Sequence, residues 1–184
     1  MDDTALLAAI RRHAYLEGDF LLRSGRRSRY YLDKYRFETR PDLLGALGER
    51  LASAAREEDP VSVRLAGPEL GAVALAASAS LASGLPFLIV RKAGKAYATE
   101  RRVEGTYEPG ERVCLVEDVV TSGGAAIEAA LALREAGLTC ESAVCVVDRE
   151  EGGREALAAV GIRLRALFRA RDVAEAPLEA EAAV

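Results

Sequence analysis

Glu117 and Asp118 stand together at the end of an apolar run, VCLVEDVVTSGG (113–124), and a turn of Thr121, Ser122, Gly123 and Gly124 lies just beyond them. Two adjacent carboxylates can accept hydrogen bonds from vicinal hydroxyls. A turn that feeds a helix presents unpaired backbone N–H groups at the positive end of the helix dipole, which suits an anion. The hydroxyls of Thr121 and Ser122 can donate, and the glycines let backbone approach the anion closely. Acids immediately upstream would repel a bare polyphosphate, but they suit the 2′- and 3′-hydroxyls of a ribose. A phosphorylated pentose satisfies both halves of the stretch. The phosphate loop GxxxxGK[ST] and the dinucleotide turn GxGxxG are both absent. The plainer reading leaves Glu117 and Asp118 as surface acids and the glycines as an ordinary helix cap.

These residues need a scaffold. Helical patterning falls near 3–16, 41–56, 70–83, 122–136 and 152–160, with Pro41 suited to a first helical turn. Extended apolar runs fall at 63–66, 87–91, 113–117, 142–148 and near 163–168. Between the first two helices lies a short irregular or extended segment. Short continuous apolar runs are what strands covered on both faces look like. Strands alternating with helices imply right-handed crossovers and an α/β fold with a parallel, doubly wound sheet flanked by helices. Ligands then bind beyond the carboxyl ends of the strands. Those ends read AGPELG (66–71), RKAGK (91–95), EDVVTSGG (117–124) and DREEGG (148–153), and each is charged or rich in glycine. The 184 residues are expected to form one domain, with an N-terminal segment of about 1–40, a core of about 41–170 and a fraying Ala/Glu-rich tail.

Composition narrows the possibilities. A net charge of -4 is no nucleic-acid footprint. One histidine, His13, and three cysteines without a CxxC pair argue against zinc. Cys114 and Cys145 sit in apolar runs and read as reduced core residues of a cytoplasmic protein. The N-terminus opens acidic and is no signal peptide. Leu70 to Val90 carries no charge, yet Gly84 and Pro86 interrupt it, so it reads as a buried helix, a turn and a strand rather than a membrane span.

The stretch CLVEDVVTSGG resembles the phosphoribosyl-pyrophosphate motif of the type I phosphoribosyltransferases. Three further segments narrow the likeness to the orotate-using members: FLLRSGRRSRYYLDKY (20–35), VRKAGKAYATERRVEG (90–105) and VVDREEGG (146–153). That resemblance implies an Mg²⁺-dependent transfer of ribose 5-phosphate from phosphoribosyl pyrophosphate to orotate in pyrimidine synthesis. It also implies an N-terminal hood and a homodimer whose loop 92–105 closes over the neighbouring site. Arg91, Lys92 and Lys95 match positions that hold the pyrophosphate, with Lys95, Arg91 and Asp118 as the catalytic candidates. Glu117, Asp118, Val119, Val120, Thr121, Ser122, Gly123, Gly124 and Ala125 match the ribose 5-phosphate site. Thr121, Arg149, Tyr31 and Arg23 are the candidates for contact with orotate, Arg149 through a guanidinium fork suited to its carboxylate.

The match has departures. Tyr97 stands where the family's loop carries a histidine, Arg23 stands at a lysine position, and the 67–71 turn lacks a lysine that some members have. Two alternatives are a transferase for another base, such as a purine, and a regulator that senses phosphoribosyl pyrophosphate without turnover.

Overall fold

A computed structural model describes residues 1–21, 25, 27–92 and 101–177. Arg23, Lys95 and Tyr97 lie outside the described residues. In chain order the elements are α1 (Asp3–Ala14), β1 (Tyr15–Leu21), β2 (Arg27–Leu32), α2 (Tyr35–Glu38), α3 (Pro41–Glu58), β3 (Arg64–Pro68), α4 (Gly71–Ser83), β4 (Phe87–Val90), β5 (Val103–Glu104), β6 (Arg112–Val120), α5 (Gly124–Glu135), β7 (Thr139–Asp148), α6 (Gly153–Ala159), β8 (Arg163–Arg169) and α7 (Ala170–Glu175).

Local chemistry sets several boundaries. Asp2 caps α1, its carboxylate accepting the Ala5 N–H at 2.8 Å. Pro41 opens α3, where a missing N–H does no harm. Gly84 ends α4 in the left-handed conformation at φ 75°.

Six strands form the main sheet in the order β5-β4-β3-β6-β7-β8, all parallel except the edge pair β4/β5. From β3 the chain crosses through α4 to β4 on one side, and from β6 it crosses through α5 to β7 on the other. The direction of winding reverses between β3 and β6, so a crevice opens at their carboxyl ends. One face packs Leu43, Leu47, Leu51, Leu75 and Ala79 from α3 and α4 onto Cys114, Val116, Val144 and Val146. The other packs Ala126, Ala130 and Leu133 of α5 and Leu157 of α6 onto Val113, Leu115, Ala143 and Cys145.

The N-terminal region is more ordered than an irregular or extended segment. β1 and β2 form an antiparallel hairpin with a bulge between Glu17 and Phe20, so α1 stops at Ala14 instead of running to 16. Leu6, Ile10 and Ala14 of α1 share a core with Leu43 and Leu47 of α3. At the opposite end of the sheet from the crevice, Asp59 accepts hydrogen bonds from Arg112 at 2.9 Å and from the Ser142 hydroxyl at 2.8 Å.

Candidate active site

Strand β6 delivers both acids of the opening motif to the reversal point. Consecutive strand residues leave on opposite faces, so Asp118 continues the side of Cys114 and Val116, whereas Glu117 continues the side of Val113 and Leu115. Both are buried, which excludes the reading of them as surface acids. Asp118 Oδ1 accepts the Val119 N–H at 2.5 Å, and Oδ2 accepts from Lys34 Nζ at 2.5 Å. Glu117 Oε1 is buried without a partner. Burial, reinforced by the Asp118 charge, pushes the Glu117 carboxyl up to about 8, with Lys34 acting in the opposite direction. The two carboxylates therefore differ: Asp118 is a fixed acceptor, and Glu117 is a sheltered acid with an unused oxygen.

The turn after β6 leads directly into α5. Gly123, at φ 80°, is the N-cap, and no side chain caps the helix. The Ile127 N–H is the first to reach back to the Gly123 carbonyl, at 2.9 Å. The amides of Gly124 and Ala125 therefore have no helical acceptor. Thr121, Ser122, Gly124 and Ala125 are exposed, while Val120 is buried and anchors the turn from below. The start of α6 packs against the same turn. A Cβ at Gly153 would lie 2.4 Å from the Thr121 carbonyl oxygen, so only glycine permits this approach.

Strand β7 ends beside this turn, with the Arg149 N–H bonded to the Val120 carbonyl at 2.9 Å. The Arg149 guanidinium lies 5.0 Å from the centre of the Tyr30 ring, and its Nη2 donates to the Tyr30 hydroxyl at 3.3 Å. Tyr30 in turn stacks on Tyr15, with centroids 5.0 Å apart and rings inclined by 14°. Nη2 also pairs with Glu151 at 3.0 Å, and Nε is buried without a partner. This alters the expectation for Tyr31. The alternation along β2 turns Tyr30 toward Arg149, and Tyr31 packs against Phe20 on the exposed side.

Arg91 and Lys92 follow β4 and are exposed. The Arg91 N–H reaches the Arg102 carbonyl at 2.8 Å, and the Lys92 N–H reaches Glu69 Oε1 at 2.7 Å. Glu69 belongs to the 67–71 turn at the end of β3, so that turn touches the loop root through an acid. Asp118, the Thr121–Gly124 turn, Arg149 and the Arg91–Lys92 pair thus all belong to the carboxyl ends of the sheet strands.

Lys34 and Glu38 are the ionisable residues at Asp118 that sequence reasoning misses. The only local signal is a Lys and a Glu in helical i,i+4 spacing, flanking Phe37.

No protein-family model matches the chain. An orotate phosphoribosyltransferase of Methanocella arvoryzae is 47% identical over 173 residues, covering 93% of this chain and 97% of that protein. Among solved structures, orotate phosphoribosyltransferase from Aeropyrum pernix superposes with a TM-score of 0.82 at 33% identity, covering 92% of this chain and 96% of that one. The Mycobacterium tuberculosis orotate phosphoribosyltransferase in complex with 5-phospho-alpha-D-ribosyl 1-diphosphate superposes with a TM-score of 0.78 at 28% identity, covering 93% and 98%.

Proposed function

The chain belongs to the orotate phosphoribosyltransferase family, and on that premise we propose how its own residues carry the family's reaction. That reaction moves ribose 5-phosphate from phosphoribosyl pyrophosphate to orotate, giving orotidine 5′-monophosphate and pyrophosphate for pyrimidine synthesis. Asp118, oriented by the Val119 amide, accepts a hydrogen bond from the ribose diol, and Glu117 offers its unpaired oxygen from the other side of β6. The 5′-phosphate sits on the free amides of Gly124 and Ala125, beside the hydroxyls of Thr121 and Ser122. Arg91 and Lys92 at the loop root, with Lys95, face the pyrophosphate, where negative charge builds as the ribosyl carbon becomes cationic.

Arg149 pairs with the orotate carboxylate through a guanidinium steadied by Tyr30. A planar cation at this place favours an anionic pyrimidine over a neutral purine. Thr121, exposed in the phosphate turn, is also the residue whose family match implies a contact with orotate. Tyr31 packs against Phe20 instead of toward Arg149, and Arg23 lies outside the described residues.

Among the described residues, no group of three or more His, Cys, Asp or Glu is arranged to hold a metal ion. On the family reading, Mg²⁺ would be held mainly by substrate oxygens and water, a donor set this ion prefers, and would neutralise phosphate charge.

The observation that carries the reading is the buried Asp118 carboxylate beside free helix amides at the one place where the sheet reverses its winding. Its test is the loss of orotate absorbance when purified protein, Mg²⁺ and phosphoribosyl pyrophosphate are mixed. Folded protein without turnover would defeat it.

Three coarser readings accompany this one. The shared core of α1 and α3 supports a single domain. Cys114, Cys140 and Cys145 are free and buried, which supports a reducing, cytoplasmic setting. No helix among the described residues is long and apolar enough to cross a membrane. The family resemblance also supports the reading of a homodimer with shared sites, and sedimentation of the purified chain tests it.

A further inference from the structure

Lys34 and Glu38 play no part in the steps above, yet both converge on the acid that holds the diol. Lys34 leads into α2 and Glu38 ends it. Lys34 Nζ lies 2.5 Å from Asp118 Oδ2, with the acid's side chain 4% exposed and the lysine's 33%. Glu38 is buried, and its Oε1 has no partner. A Cβ on Gly71 would stand 2.1 Å from Asp118 Oδ2 and 3.0 Å from both Glu38 Oε1 and Lys34 Nζ. Three ionisable heads therefore meet against the first residue of α4, where only glycine leaves them space. Phe37, fully buried in the core shared with α3 and α4, fixes the short helix that carries them.

An ion pair in a sheltered place contributes little net stability, because desolvation offsets the attraction. Stability alone is thus a poor reason for a lysine at this point, whereas orientation of Asp118 is a good one. Lys34 occupies one lone pair of Oδ2 and the Val119 amide occupies one of Oδ1. Glu38 also hydrogen-bonds this carboxylate, which leaves acceptor capacity for one diol hydroxyl, and rotation about the carboxylate is blocked at both ends.

We propose that Lys34 is a positioning residue for the ribose site, fixing the Asp118 carboxylate through Oδ2 in the orientation that accepts a diol hydroxyl. This rests on the reading of Asp118 as the diol acid.

Lys34 also sets the charge of the site. The groups facing Asp118 are Lys34 and Glu38 around α2, Glu117 on its own strand and Cys145 on β7, while Asp33, just before α2, acts on Glu38. Tyr35 lies 5.5 Å from Lys34 Nζ, and α4 brings no ionisable side chain. Three carboxyls and one ammonium cannot all be charged cheaply in so little water. Burial pushes both Glu38 and Glu117 up to about 8, and the Lys34 charge opposes that rise in each. Removing the ammonium therefore leaves Glu117 protonated to higher pH, and a protonated Glu117 is a poorer acceptor for the diol.

The test uses the full chain with Lys34→Met, which keeps the aliphatic stem, and Lys34→Arg, which keeps the charge. At neutral pH the methionine variant is expected to raise the KM for phosphoribosyl pyrophosphate by about tenfold or more, the range of a lost charge-assisted bond. The KM for orotate should stay unchanged. The deficit should shrink as pH rises toward and past 8, shifting the acid limb of kcat/KM upward, and arginine should restore most of the affinity. A pH-independent loss, or a KM like that of the parent chain, overturns the proposal. A parent chain that turns nothing over defeats the functional reading instead, so the two failures are distinguishable.

Discussion

Replacing Gly153 by alanine probes whether the phosphate turn depends on a close approach from α6. The added Cβ would lie 2.4 Å from the Thr121 carbonyl oxygen and 2.5 Å from Val120 Cγ1, against the ~3.5 Å at which such contacts become favourable. About 1 Å must therefore open between the start of α6 and the turn. The obstructing oxygen belongs to the backbone, so no side-chain rotation relieves the clash, and the turn or the helix end has to move.

Such overpacking costs about 1–3 kcal/mol of stability. It is partly offset because alanine is preferred over glycine in a helix by about 1 kcal/mol. Folding should survive with a modest drop in melting temperature. Activity should suffer far more, since a displacement of about 1 Å in a binding group can lower the rate by about 100-fold. The assay is kcat/KM for phosphoribosyl pyrophosphate, followed by orotate absorbance, beside a thermal melt. Gly45→Ala is the control: nothing lies within 4 Å of its added Cβ. It should leave kinetics unchanged and stabilise α3 by about 0.4–1 kcal/mol. Should Gly153→Ala keep kcat/KM within about threefold, a change under ~0.7 kcal/mol, the turn does not depend on this packing and the reasoning fails.

Arg149→Ala should raise the orotate KM by about 10–100-fold, the equivalent of one lost charge-assisted bond, and leave the KM for phosphoribosyl pyrophosphate near its parent value; steady-state kinetics with each substrate varied decides it. Asp59→Ala should destabilise the fold by about 1–3 kcal/mol, because the buried Ser142 hydroxyl loses its acceptor and Arg112 is left with Glu141 alone; a denaturant titration measures this, and kcat should be unaffected because the network sits at the far end of the sheet. Glu117 and Glu38 have folded values near 8, above the unfolded 4.5, so between those limits the native state holds protons that the unfolded chain has released. Their contribution to stability is therefore present at acid pH and is lost as pH rises from about 4.5 to about 8. Glu117→Gln should flatten that slope in ligand-free protein, as read from unfolding free energies across the pH range.

The main sheet is legible in the sequence because strands covered on both faces must be apolar runs, and 113–117 or 142–148 admit no other use. The structure lengthens them to Arg112–Val120 and Thr139–Asp148, since polar residues at the ends still pair with neighbouring strands. The Tyr15–Leu32 hairpin is harder to see. Glu17, Gly18 and Asp19 are all exposed, and the bulge that follows them breaks the alternation that would mark β1. Adjacent tyrosines likewise do not announce which one turns inward. That depends on register, with Leu16 opposite Tyr31 and Glu17 opposite Tyr30. The acids and the glycine turn of the site are local in sequence and hence visible. The company Asp118 keeps is not, because Lys34 lies 84 positions away and only the packing of α2 brings it there.

The hydrogen bond between Arg91 and Arg102 has an entropic consequence. It ties together, at the β4/β5 edge, the two described residues that flank the intervening segment. Doubling the length of a chain between fixed ends adds only about 0.6 kcal/mol of closure entropy. A longer or shorter connection between these two anchors therefore costs little in chain entropy beside the stability of the domain that anchors it.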